Sequence, residues 1–256
     1  MLRPYQSDCL QEIRRADSEG CINLLVVLPC GCGKTVIASN LPATLDLSPF
    51  QSQLFLVHRD ELALQACEEF REANPSLTVG LEKAEYRTDG NCDITVASVQ
   101  TLARSPDRLA KLNTAGLRVV VVDEGHHLPS NSWSKVLDDL HCLKGSARRD
   151  PSRLFVTITA TPRRGDGIGL EKFCDRIVFH RSSRGMIDSG WLAEPIGYRV
   201  SSGEDLGGVA TRAGDFAAGQ LEEAVNTPER NALVVKKYLE FGQGLPAITR
   251  FGRSYC

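Results

Sequence analysis

The stretch from Leu24 to Thr35, LLVVLPCGCGKT, constrains the fold of this chain more than any other. Leu24 to Leu28 is an unbroken apolar run, the pattern of a strand buried on both faces of a parallel sheet. Gly31, Gly33, Lys34 and Thr35 follow at once. Glycines at such a turn let backbone N–H groups point inward at phosphate oxygens, a lysine reaches the β- and γ-phosphates, and a hydroxyl at the mouth of the next helix can ligate Mg²⁺. The stretch predicts a phosphate-binding loop, with Gly31, Cys32, Gly33, Lys34 and Thr35 around the anion. The match is to half of the general pattern, because Leu28 stands where a glycine is the rule. A glycine-rich turn that happens to contain Lys-Thr stays open as the alternative. Anion-cradling N–H groups should also favour the thiolates of Cys30 and Cys32.

A length of 256 residues with 42% hydrophobic content allows one large α/β domain, or one domain with an appendage. A formal net charge of −2 provides no global field for nucleic acid, so any such binding must come from particular residues. No apolar run approaches the ~20 residues of a membrane span, and Met1 leads into LRPYQ without a signal or transit segment. The expectation is a soluble, intracellular chain without a membrane partner. Nine scattered cysteines with no CxxC fit reduced thiols rather than a disulfide frame or a zinc site.

Pro4 starts a helix well, and Gln6 in its first turn is a candidate adenine reader, since a carboxamide can accept from N6 and donate to N7 together. A polar first-turn residue is the plain alternative. Gln53 to His58 is a second strand, which leaves His58 and Arg59 at its carboxyl end, where open parallel sheets bind ligands. Arg59 is a candidate phosphate contact or an ordinary surface ion-pair member. Further short strands are expected at Thr78 to Glu82 and Asp93 to Ala97. Ser98 then opens a helix, either as its N-cap or with its hydroxyl on a phosphate backbone.

Arg118 to Val122 is a strand rich in β-branched residues, and it delivers Asp123 and Glu124 to its carboxyl end. Asp123 can hold Mg²⁺ through water, and Glu124 can orient and deprotonate the water that attacks a γ-phosphate. His126 and His127 lack zinc-protease spacing and read as coupling residues. A helix is expected from Ser132 to Leu143, then a basic loop containing Lys144, Arg148, Arg149 and Arg153, most simply a solvated one. The strand Leu154 to Ile158 leads to Thr159 and Thr161, two hydroxyls at the same sheet edge. Weaker strands are expected at Arg176 to His180 and Pro195 to Val200, one helix from Leu221 to Phe241, and a last strand at Ala247 to Phe251.

Taken together, these segments resemble the superfamily 2 helicases of the DExH type. LRPYQ is similar to the adenine-reading Q motif, LPCGCGKT to motif I, VHRDELALQA to motif Ia, VASVQTL to motif Ib, VVVDEGHH to motif II and TITATPRRGDG to motif III. Within that superfamily, TATPRRGDG, the turn at Gly190 and Leu192, and Gly214 to Asn231 resemble the group named for type III restriction enzymes, including fungal mitochondrial DNA helicases.

The resemblance implies a three-layer α/β/α RecA-like P-loop NTPase fold with a mostly parallel central sheet. It implies a helicase ATP-binding domain over residues 1–200, then a linker, a helix and a truncated start of a second RecA-like lobe over 201–256. By family the activity is ATP hydrolysis and strand separation. ATP would sit on Arg3, Gln6, Gly31, Cys32, Gly33, Lys34 and Thr35, with Mg²⁺ on Thr35 and Asp123. Asp123, Glu124 and Lys34 would be catalytic, and His126, Thr159 and Thr161 would couple the site to nucleic acid. Arg59 and Ser98 would touch the nucleic-acid backbone, with DNA the expected form and a mitochondrial or nuclear location implied. The second lobe and its arginine finger are absent from the motifs, so a non-catalytic half-helicase and another kind of P-loop enzyme remain the alternatives. Gly125 departs from the family's usual alanine, at an expected cost of only helix propensity, about 1 kcal/mol.

Overall fold

The computed structural model describes residues 2–58, 60–114, 116–162, 169–201, 208, 210–212, 215–216, 218–242 and 244. Seven strands form one sheet: β1 (Asn23–Val27), β2 (Ser52–Val57), β3 (Val79–Glu82), β4 (Ile94–Ser98), β5 (Leu117–Asp123), β6 (Leu154–Thr159) and β7 (Arg176–His180). Their order is β3-β4-β2-β5-β6-β1-β7, and every neighbouring pair is parallel. All seven strands therefore end on one edge.

Helices α1 (Pro4–Ser18), α2 (Lys34–Ser39), α3 (Leu41–Thr44), α4 (Asp60–Ala73), α5 (Val99–Arg104), α6 (Pro106–Leu112), α7 (Asn131–Asp139) and α8 (Ser183–Asp188) complete the first compact unit, Met1–Glu194. Strand side chains alternate between two cores, as a period of two requires. Leu24, Val26, Phe55, Val57, Val119 and Val121 pack with Ile13 of α1, Ile37 of α2 and Phe70 of α4. Leu25, Val27, Leu54, Leu56, Val120 and Val122 pack with Leu102, Leu109, Trp133 and Val136 of α5, α6 and α7. The result is the three-layer α/β/α arrangement with a parallel sheet.

The second unit, Pro195–Cys256, contains the antiparallel pair β8 (Thr211–Arg212) and β9 (Asp215–Phe216), then α9 (Ala218–Val225) and α10 (Pro228–Phe241). Tyr198 stacks on Phe241 with ring centroids 4.1 Å apart.

Several expected elements differ. The single helix from Leu221 to Phe241 is two, because the Thr227 hydroxyl accepts from Arg230 N at 3.2 Å and Pro228 follows as the first helical residue. An N-cap and an N1 proline start a helix and cannot continue one. Pro195 to Val200 is not a strand. It pairs with no strand among the described residues, and Ile196 and Tyr198 stand largely in solvent. The helix expected to reach Leu143 stops at Asp139, after which His141 takes a left-handed φ of 56°. Helices α3, α6 and α8 and the pair β8/β9 were not anticipated. The strand expected at Ala247 to Phe251 lies outside the described residues.

The basic loop is only in part solvated: Arg148 is exposed, whereas Arg149 and Arg153 are drawn into the fold. Arg149 donates to the carbonyls of Ile22 and Arg153 and to Asn23 Oδ1, all between 2.9 and 3.1 Å. Arg153 is buried and donates to the carbonyls of Leu140 and Thr114. Arg148 pairs with Asp138 and Asp139, and Lys144 with Asp175. Arg149 satisfies backbone carbonyls beside the amino-terminal ends of β1 and β6, and Arg153 one just before β5, on the edge opposite the glycine-rich loop.

Candidate functional site

The carboxyl ends of β1, β5 and β6 bring together the glycine-rich loop, the acidic pair and the two threonines. In the loop Gly31 and Gly33 have left-handed φ values of 79° and 68°. Gly33 is also constrained from outside, because a Cβ there would fall 2.5 Å from Gln6 Nε2. Only glycine meets both conditions.

Gln6 reaches the loop from α1. Its Nε2 donates to the Cys32 carbonyl at 3.2 Å, and its Oε1 accepts from Arg3 N at 2.9 Å. Tyr5, which the sequence reading passed over, donates its hydroxyl to the same carbonyl at 3.0 Å. One amide hydrogen and one lone pair of Gln6 remain beyond these bonds, enough for a base edge. The Arg3 guanidinium lies 5.6 Å from the Trp191 ring centroid, and Trp191 meets Tyr5 edge-on at 5.4 Å. Leu192 Cδ2 sits 3.4 Å from where a Gly31 Cβ would be. Trp191 and Leu192 thus wall the loop, although the sequence marked only a turn there.

Cys32 corrects an expectation. Its side chain is fully buried, and burial pushes its thiol up against the smaller opposing effects of Arg3 and Lys34. The thiolate expected at Cys32 is disfavoured, and Cys32 contributes its backbone to the loop. Cys30 is exposed.

Lys34 joins the loop to the acidic pair. Its Nζ is 2.7 Å from Glu124 Oε1. Burial alone would favour loss of its proton, but the bond to Glu124 and the charges of Asp123 and Glu124 outweigh that and hold it charged. Asp123 Oδ1 accepts from Glu124 N at 3.0 Å, and burial raises its pKa more than Lys34 lowers it. Glu124 itself has φ 55° and ψ 53°, a left-handed conformation that costs a non-glycine residue about 1–3 kcal/mol. The turn spends that energy to aim the carboxylate across the edge at Lys34. The Thr35 hydroxyl and the Asp123 carboxylate are hard oxygen donors, a set that fits Mg²⁺ completed by phosphate oxygens and water. No cluster of three or more His, Cys, Asp or Glu suited to a metal occurs among the described residues.

The remaining expected residues are placed as follows. His126 Nδ1 lies 3.3 Å from Glu124 Oε2. Thr159 is buried, and its hydroxyl closes on the backbone N and O of exposed Thr161, each at 3.2 Å. Ser98 is fully buried and donates to Gln100 Oε1 at 3.0 Å, so it does not present its hydroxyl to solvent. Gln100 Nε2 in turn is 3.3 Å from His58 Nδ1. Arg59 lies outside the described residues.

Gly125 has a reason that helix propensity does not supply. It opens a 3-10 turn, Gly125–His127, and a Cβ on it would overlap Thr157 Cγ2. Alanine here should therefore lower stability rather than raise it, by about 1–3 kcal/mol, the usual cost of overpacking. Gly125→Ala is expected to lower the melting temperature, and adding Thr157→Ser, which removes the obstructing methyl, should recover most of the loss. Thermal unfolding of the three variants checks this, and a double variant no more stable than Gly125→Ala would refute it.

Residues 1–164 match the family described as type III restriction enzyme, res subunit. The chain is 36% identical over 246 residues to the Saccharomyces cerevisiae protein named ATP-dependent helicase IRC3, covering 93% of this chain and 35% of that one. It is 36% identical over 208 residues to the Schizosaccharomyces pombe protein named mitochondrial ATP-dependent helicase irc3, covering 80% of this chain and 33% of that one. The chain thus spans about a third of the length of the curated relatives it matches. Among solved structures it is similar to the Pyrococcus furiosus Hef helicase domain, with a TM-score of 0.54, 20% identity, and coverage of 70% of this chain and 38% of that one. It is also similar to a nuclease-deletion mutant of the Type ISP restriction-modification enzyme LlaGI, solved in complex with a DNA substrate mimic. That likeness has a TM-score of 0.58, 15% identity, and coverage of 95% of this chain and 24% of that one. At these identities the two structures speak for the fold alone.

Proposed function

Because the chain belongs to the family of the type III restriction enzyme res subunit, we propose that it is the ATP-binding lobe of a DExH-type helicase, binding Mg·ATP and nucleic acid and hydrolysing ATP for strand separation when completed by a second lobe. In this proposal residues 1–200 form the ATP-binding domain and 201–256 the linker and the start of the next lobe. The observation that carries the reading is the 2.7 Å pair between Lys34 and Glu124, which sets the phosphate loop and the acidic pair at one strand edge.

Each residue has a role in this reading. Gln6 and Arg3 hold the base, while the backbone N–H groups of Gly31, Cys32 and Gly33 and the Lys34 ammonium hold the phosphates. Thr35 and Asp123 would hold Mg²⁺, which when bound neutralises charge on the phosphate oxygens. Glu124 takes the proton of the attacking water. For that it must leave Lys34, and a triphosphate supplies the competing anion that draws Lys34 away. His126, Thr159 and Thr161 relay the change, and Arg59 would contact a sugar–phosphate backbone; the Ser98 hydroxyl, buried on Gln100, would hold that side chain rather than touch the backbone itself. DNA is the proposed nucleic acid, from the resemblance of the motifs to fungal mitochondrial DNA helicases. A mitochondrial location is proposed from the name of the S. pombe relative. No helix among the described residues is long and apolar enough to cross a membrane.

The test is direct titration of the purified chain with a fluorescent ATP analogue, with and without Mg²⁺, followed by binding of single-stranded DNA and RNA at two salt concentrations. Mg²⁺-dependent nucleotide binding lost in Lys34→Ala, with salt-sensitive, sequence-independent DNA binding, is the expected result. A chain that binds no nucleotide would end the proposal.

A further inference from the structure

The expected route from the phosphate site to nucleic acid ran through His126, Thr159 and Thr161, and of these the Thr159 hydroxyl closes on the backbone of Thr161. A different line of side chains runs along the strand edge in the opposite direction. Glu124, 2.7 Å from Lys34, reaches His126 at 3.3 Å through its other oxygen. The His126 and His127 rings follow at 4.2 Å, tilted by 41°. His127 then stacks on His58 at the end of β2, with centroids 3.8 Å apart and planes 18° from parallel. His58 Nδ1 meets Gln100 Nε2 at 3.3 Å, and Gln100 Oε1 accepts from Ser98 at the end of β4 at 3.0 Å. The line crosses from β1 to β4, four strand spacings or roughly 19 Å.

Two features give this line a defined state. Ser98, bonded to Gln100 Oε1, fixes the orientation of that carboxamide, so its amide hydrogens face His58. Trp133 of α7 lies in an offset stack with His58, its ring centroid 6.5 Å away and its plane 21° from parallel. A close ring stack can pass on a displacement, because sliding or tilting one ring changes the packing of the other.

We propose that the stacked His58–His127 pair is a positioning device that links occupancy of the Lys34–Glu124 phosphate site to the arrangement of the partly buried Gln100 at the strand edge, beside which a nucleic-acid sugar–phosphate backbone would bind. The inference rests on the proposed nucleotide and nucleic-acid reading. When a triphosphate takes Lys34, Glu124 loses its strongest partner, His126 follows it, and the ring pair carries the shift to Gln100. Linkage is reciprocal, so a polynucleotide held at Gln100 must change nucleotide affinity by the same factor.

The experiment measures the Kd of a non-hydrolysable Mg·ATP analogue for the full chain with and without a saturating single-stranded oligonucleotide. The parent, His127→Ala and His127→Phe are compared, with thermal unfolding of each as the check on folding. The parent should show a nucleic-acid-dependent shift of about tenfold, within the common range for coupled sites. His127→Ala should lose the shift while each ligand alone binds within about twofold of parent, and His127→Phe, which keeps a stacking ring, should retain most of it. A shift that survives in His127→Ala, or is lost equally in His127→Phe, overturns the inference. So does a parent that binds both ligands without any shift, which leaves the proposed function standing. A parent that binds no Mg·ATP overturns both.

Discussion

Glu124→Gln, in a polypeptide completed by a second lobe, is expected to bind Mg·ATP about as well as parent and to hydrolyse it about 10²- to 10⁴-fold more slowly, the range of a lost general base. The argument starts from the turn. Glu124 is held in a left-handed conformation with one oxygen on Lys34 at 2.7 Å and the other 3.3 Å from His126. A carboxamide has the same shape and can occupy the same place, but it cannot accept a proton. Lys34 then loses one of the anions that hold it charged. The charge of Asp123 stays and favours the ammonium, so the cation for the phosphates is kept. Lys34→Ala should fail differently, because it removes the phosphate contact itself and nucleotide affinity falls with turnover. Equilibrium binding and single-turnover hydrolysis on the three proteins separate the cases. Equal hydrolysis by Glu124→Gln and parent would remove Glu124 from the role of base.

Local chemistry explains which parts of this molecule could be read in advance. The glycine-rich loop, the acidic pair and the alternating strands are encoded within a few neighbouring residues, and they stand where the spacing placed them. Arg149 and Arg153 could not be read that way. A run of basic residues looks solvated until the fold supplies buried carbonyls of Ile22, Leu140 and Thr114 for it to satisfy. Ser98 was open between an N-cap and a phosphate contact, and the fold buried it on Gln100. Gly125 was judged by propensity, which says nothing of the Thr157 methyl from a strand 32 positions on. His58 and Gln100 are brought together only because β2 and β4 are neighbours. The break before α10 was legible, since Thr227-Pro228 is a start signal, and it was missed by following apolar periodicity alone.

Residues 1–256 tested alone are expected to turn ATP over slowly, and to gain about 10³- to 10⁵-fold on addition of a second lobe from a close relative, the worth of an arginine that meets the transferring phosphoryl group. The site explains why. Phosphoryl transfer needs a metal and lysine on the phosphates, a positioned water, and further positive charge as the bond to the γ-phosphate breaks. The described residues bring Lys34 to the acidic pair, and Asp123 and Glu124 can serve metal and water. Arg3 and the arginines of the basic segment are engaged elsewhere. Arg3 lies over Trp191, and Arg148, Arg149 and Arg153 are tied down at the opposite edge of the sheet. Strand separation has a second requirement, two nucleic-acid grips whose spacing changes with nucleotide state, and the edge of one lobe offers one. Nucleic-acid-stimulated ATPase and strand separation should therefore appear together when the second lobe is supplied. If the chain alone unwinds a duplex robustly and the rate rises with the square of protein concentration at low concentration, a second copy supplies the further charge. Unwinding that stays first order in protein would instead place that charge on a residue of the same chain.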